Sequence, residues 1–181
     1  SQLATVDPEN RLLARHNRRR LDAESLRDSI LLASGNLDLS PGQGSAVETT
    51  VALINWPLGA STNLHRENYH RSIYLCQLRH APPPELSAFD LPDGVKIVGQ
   101  REVSNLPTQS LFLMNNPLIV SQAGALARQV LATPGKDDVE KVRNVFRRVL
   151  RRDPTLEEIS HSTLYLKNVD LLLSPRNPDG N

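Results

Sequence analysis

The residues best suited to chemistry are five arginines and three aspartates: Arg18, Arg19, Arg20, Arg71 and Arg101 with Asp22, Asp28 and Asp90. A guanidinium recognises a carboxylate through two parallel N–H donors, so such a set has two uses. As a scaffold, its members pair with one another and tie irregular chain to helices. As a site, some arginines stay free beside Tyr74 and hold an acidic or sulfated ligand. The ligand-binding set on that second reading is Arg71, Tyr74, Asp90, Arg101, Asn105 and Gln109. The structural network on the first is Arg18, Arg19, Arg20, Asp22 and Asp28, joined by Asn115 and Asn116.

Other chemistries find less support. Covalent haem needs C-x-x-C-H, and Cys76 is the single cysteine, with His80 four residues on. Met114 sits inside an apolar block and reads as core rather than as an axial ligand. His65, His70, His80, Asp90 and Asp93 show no ligand spacing for a metal that needs three or four convergent donors, so no metal site is expected. There is no G-x-S-x-G elbow, and nothing in the sequence sets a base beside Ser34, Ser104 or Cys76. Asp22, Glu24, Asp28, Asp90 and Asp93 would serve glycoside hydrolysis only if two faced a cleft at roughly 5–10 Å.

Composition narrows the class. The chain has 181 residues, 21 Lys and Arg against 20 Asp and Glu, and a net charge of +1. That balance argues against nucleic acid as a partner. No apolar run approaches the roughly 18–20 residues of a membrane span, so no membrane insertion is expected, and no targeting signal is visible. The chain opens on Ser1 rather than Met and reads as a fragment of a longer polypeptide.

The elements that must position these residues are mostly helical. Asp22 caps a helix over about 22–34, with Leu26, Ile30 and Ala33 on its apolar face, Glu24, Arg27 and Asp28 opposite, and Gly35 as its stop. No period is sustained from Ser45 to His70, an irregular excursion whose role the sequence leaves open. Ser72–Leu78 and Val95–Val98 predict a small two-stranded β element within 72–98, separated by Pro82-Pro83-Pro84 and a short helix at 85–88. Asn105 caps the next helix, with Pro107 in its first turn, and the block Leu111–Met114 predicts burial on most sides. Asn115-Asn116-Pro117 stops it and starts another. Helices over about 117–132, 137–151 and 155–172 follow, the last opened by a Thr155/Glu158 capping box. Their short connections predict an antiparallel helical C-terminal half. Residues 174–181 are too polar to order themselves.

Three blocks together resemble a known family. They are Asp7–Arg15 leading into Arg18–Asp28; Tyr69–Tyr74 with Pro82-Pro83-Pro84 and Phe89–Asp93; and Arg101–Pro117 continuing to Arg152–Glu158. In this order they look like the C-terminal part of the planctomycete cytochrome-associated domain family, a domain of unknown function. The resemblance implies a place in a large exported protein that also carries a cytochrome c-like haem domain. It implies haem only in that associated domain and no cofactor in this chain. It supplies no catalytic residues, and the family's domain extends upstream of Ser1.

The combined expectation is a mainly α, irregular helical single domain over 1–173, the latter part of a larger domain. It would act as a non-catalytic binding or scaffolding module, partnered by other domains of its polypeptide and, on the site reading, by an acidic carbohydrate. The alternatives are a hydrolase or redox-associated enzyme acting on polysaccharide-derived material, and a docking surface for a cytochrome c-like haem domain.

Overall fold

A computed structural model describes residues 5–14, 16, 19–42, 67–77, 82–92, 94, 96–133 and 137–173. The fold is mainly helical. Its named helices are α1 (Ala23–Ser34), α2 (Pro84–Ser87), α3 (Pro107–Asn115), α4 (Pro117–Leu131), α5 (Asp138–Leu150) and α6 (Leu156–Leu173). Arg18, the greater part of the Ser45–His70 excursion and the 174–181 tail lie outside the described residues.

α1 is the hub, packing against α2, α4, α5 and the 3-10 turn Ser72–Tyr74. Its ends follow from sequence. The Asp22 carboxylate accepts from the Ser25 backbone N–H at 2.7 Å, and Gly35 takes the left-handed conformation at φ 76° that a side chain would resist. Its inner face is set one residue off the expected apolar stripe. Ala23, Arg27, Leu31 and Ser34 are buried, while Leu26, Ile30 and Ala33 flank them. The arginine expected outside is therefore inside.

The core cluster is Ala23, Leu86 and Phe89, with Leu26, Leu75, Ala88, Leu91 and Phe112 against it. Phe89 and Phe112 meet edge to face at 5.5 Å, the geometry that sets a positive ring edge on a negative face. This contact holds α3 to the turn after α2.

The expected β element does not form. Among the described residues there is no strand, only an isolated parallel bridge between Asp38 and His70. The cause is local competition for the backbone. The Ser72 N–H and hydroxyl both donate to the Asp28 carboxylate at 2.7 Å, and the Tyr74 and Leu75 N–H groups turn back to Arg71 and Ser72 carbonyls. With the Ser72, Tyr74 and Leu75 donors so occupied, the segment turns instead of extending, and Ile73 is 72 % exposed.

The burial expected of α3 also fails. Leu111 is 57 % and Met114 73 % exposed, and only Gln109 and Phe112 face inward. Its cap differs too. Leu106, not Asn105, holds the N-cap position, and the Gln109 side-chain oxygen reaches back to the Leu106 N–H at 3.1 Å. Asn105 is exposed.

The last three helices start as the sequence indicates. Asn116 accepts from the Leu118 N–H with Pro117 in the first turn of α4, and Asp137 accepts from the Glu140 N–H for α5. The Thr155/Glu158 box is reciprocal, with bonds of 2.8 and 3.2 Å. α5 packs between α4 and α6 and also touches α1.

Candidate functional site

The polar residues singled out by type fall into two separate networks, both anchored on α1. The first surrounds Asp90, which sits at φ 58° in the turn after α2. Its carboxylate accepts from the Ser104 N–H at 2.9 Å and from the Ser104 hydroxyl at 2.6 Å. The Gln109 amide donates to the same Ser104 oxygen at 3.1 Å, and Arg20 donates to the Gln109 oxygen at 2.7 Å. Arg20 closes the ring with an ion pair to Asp90 at 3.5 Å. The two Ser104 hydrogen bonds, with Arg20 nearby, hold the Asp90 carboxyl below the usual carboxylate range.

Beside this ring, Arg101 grips Glu24 of α1 with two parallel bonds of 2.7 and 2.9 Å. The pair depresses the Glu24 pKa and raises that of Arg101, each through the other's hydrogen bonds. Shallow clefts of about 260 and 280 Å³ flank Asp90 and Arg101. Their linings include neither Arg71, Tyr74, Asn105 nor Gln109.

The second network is built on Arg27, which is 5 % exposed. Its guanidinium donates to the His70 carbonyl at 3.0 Å, to the Ser72 hydroxyl at 3.3 Å and to the Asn68 carbonyl. Burial pulls its pKa down, opposed by the charges of Glu85 and Asp28. Asp28 holds Ser72 and forms an ion pair with Arg71 at 3.5 Å. Asp38 lies 3.3 Å from His70 Nδ1, and its carboxylate caps Ser40 through the N–H and the hydroxyl. Tyr74 stacks edge on against His70 and lies so close to Gly42 that a Cβ there would stand 3.0 Å from its ring.

The two sets therefore place Arg71 and Tyr74 in one network and Asp90, Arg101 and Gln109 in the other. Arg20, Asp22 and Asp28 make the contacts described, and Arg19 lines the smaller of the two clefts beside Asp90. Asn116 caps α4, and Asn115 donates to the Leu111 carbonyl of its own helix at 2.8 Å.

Sequence reasoning missed Arg27, Ser72 and a third cluster between α1, α4 and α5. There the buried Gln122 oxygen accepts from Ser34 and Asn36, both at 2.7 Å. Gln129 donates to the Ser34 carbonyl and accepts from Arg148. The available signal was spacing: Arg27 lies four residues from both Ala23 and Leu31, and Gln122 and Gln129 lie seven apart on one helix face.

The chemistry open to these groups is limited. Ser104 is bonded to a carboxylate and an amide, with no imidazole among its partners. Burial pushes the Cys76 thiol pKa up, away from the thiolate a nucleophile needs. Among the described residues no three His, Cys, Asp or Glu side chains cluster as metal ligands; His65, His80 and Asp93 lie outside those residues. No helix among them is long and apolar enough to cross a membrane.

Compared with known proteins, residues 1–166 match the family model PSD1, described as a protein of unknown function (DUF1553). No curated protein and no solved structure matches the chain.

Proposed function

The chain belongs to this PSD1 family, and on that premise we propose that it is a non-catalytic scaffolding or binding module of a larger, exported, cytochrome-linked polypeptide. The export and the cytochrome link draw on the sequence blocks that resemble the cytochrome-associated family. The non-catalytic role draws on one observation: Asp90, Arg101, Gln109 and Arg71 are each engaged by protein partners, and of the four only Asp90 and Arg101 line the two shallow clefts. An enzyme would present several of these donors to empty space. Here they fasten two irregular segments, 67–77 and 96–106, onto α1, and a rigid platform for neighbouring domains results.

The test is a thermal-shift screen of uronic-acid and sulfated oligosaccharides against the wild-type chain and Arg101→Ala. The Arg101–Glu24 pair is part-exposed and worth about 0.5–1 kcal/mol, so Arg101→Ala should melt about 1–4 °C lower. On the scaffold reading no oligosaccharide is cleaved and none stabilises the wild type. An oligosaccharide that is turned over would overturn the non-catalytic reading, and one that raises the wild-type melting temperature but not that of Arg101→Ala would replace the scaffold by a binding site.

A further inference from the structure

A cleft of about 350 Å³ opens where α1, α2, the start of α4 and the 67–77 segment meet. Its lining carries both signs of charge. Arg27 supplies the positive group, and Glu67 and Glu85 the negative ones. Leu75, Pro83 and Leu118 are its apolar walls, and Ser121 adds a hydroxyl.

The bonds already made in this cleft leave particular groups over. All three bonds of the Arg27 guanidinium come from Nη1 and Nη2. Its Nε–H therefore has no acceptor among the described residues, in a side chain that is 5 % exposed. A donor so placed is ordinarily paired. Glu67 accepts the Tyr69 hydroxyl hydrogen at 2.5 Å. Glu85 makes no hydrogen bond or ion pair among the described residues, although its charge acts on Arg27 through space. Pro117 and Leu118 bring in the positive end of the 15-residue helix α4.

We infer that this cleft binds a free α-amino acid with an apolar side chain, held as the zwitterion. Its carboxylate takes the Arg27 Nε–H, the Ser121 hydroxyl and the start of α4. Its ammonium takes Glu85, with Glu67 in the same lining, and its side chain lies on Leu75 and Leu118. Other ligand classes fit less well. A simple anion would meet two carboxylates, a simple cation would leave the buried Nε–H unpaired, and an apolar molecule would leave both signs unanswered. A compact ligand with both charges on one carbon answers all three groups, and the volume lies within the range of small-molecule sites. This goes beyond the scaffold reading. It shares no ligand with the oligosaccharide screen, so either can fail alone.

The experiment is calorimetric titration of the full chain with L-leucine, L-methionine and L-phenylalanine. N-acetyl-L-leucine, which lacks the ammonium, and L-leucinamide, which lacks the carboxylate, are the controls. At least one free amino acid should bind saturably, and each blocked form of leucine should bind about tenfold or more weaker than leucine. Glu85→Gln should weaken leucine by a similar factor with an unchanged circular dichroism spectrum. Ser121→Ala, on a helix surface, should weaken leucine severalfold without moving the melting temperature. No saturable heat from any of the three up to about 10 mM would overturn the inference. So would a blocked form that binds as well as leucine, or wild-type affinity in both variants.

Discussion

Arg27 shows how much one side chain decides. A charged group at 5 % exposure needs oxygens for its N–H donors, and both terminal nitrogens find them here in Asn68, His70 and Ser72. Arg27→Met keeps most of the apolar stem but leaves the Asn68 and His70 carbonyls without their donor. The expected loss is about 1–3 kcal/mol for each carbonyl that stays buried and unpaired, read as a lower urea midpoint. Arg27→Lys should fall between, since an ammonium serves fewer of these acceptors in a fixed plane. A wild-type midpoint in Arg27→Met would mean that the 67–77 segment is held by other contacts. This residue was hard to read from sequence because an arginine four places from two apolar residues looks like an outward i,i+4 partner for a neighbouring acid. Only the fold reveals that backbone, not a carboxylate, is its principal acceptor.

Helix boundaries were the most legible elements, because caps are local. Asp22, Gly35, Asn116-Pro117 and the Thr155/Glu158 box each fix an end through a bond within a few residues. The strand expectation failed for the complementary reason: Ile73, Tyr74 and Leu75 have the composition of a strand, but Asp28, 44 residues away, captures the Ser72 donors. Gly35 joins local and distant causes. Its left-handed φ alone makes Gly35→Ala cost about 1–2 kcal/mol. The added Cβ would also stand 2.6 Å from the Gln129 amide nitrogen, displacing it from the Ser34 carbonyl. Gly35→Ala and Gln129→Ala should therefore be non-additive in chemical denaturation, the double variant losing less than the two single losses combined. Strict additivity would show that Gln129 moves aside without cost.

At the scale of the whole molecule, side-chain carboxylates stand in for carbonyls as the acceptors of key backbone donors. Asp22 takes the Ser25 N–H, Asp38 that of Ser40, Asp90 that of Ser104 and Glu158 that of Thr155. Hydrogen bonds from the side chains of Ser25, Ser40 and Ser104, together with these N–H bonds, hold the first three carboxyls below their ordinary pKa. Arg152, with Thr155, brings Glu158 to about 2. A depressed folded-state pKa contributes stability that is complete above the unfolded value, about 4, and is lost as pH falls through the folded one. The helix ladders carry no such proton. In hydrogen–deuterium exchange between about pH 4 and 2, after correction for intrinsic rates, the Ser104 and Thr155 amides should lose protection while the interior of α1 keeps it. Loss of both together would show a single cooperative unit instead. The fastenings of this protein would then be latches that acid opens one at a time, letting the chain come apart at its joints before its helices melt.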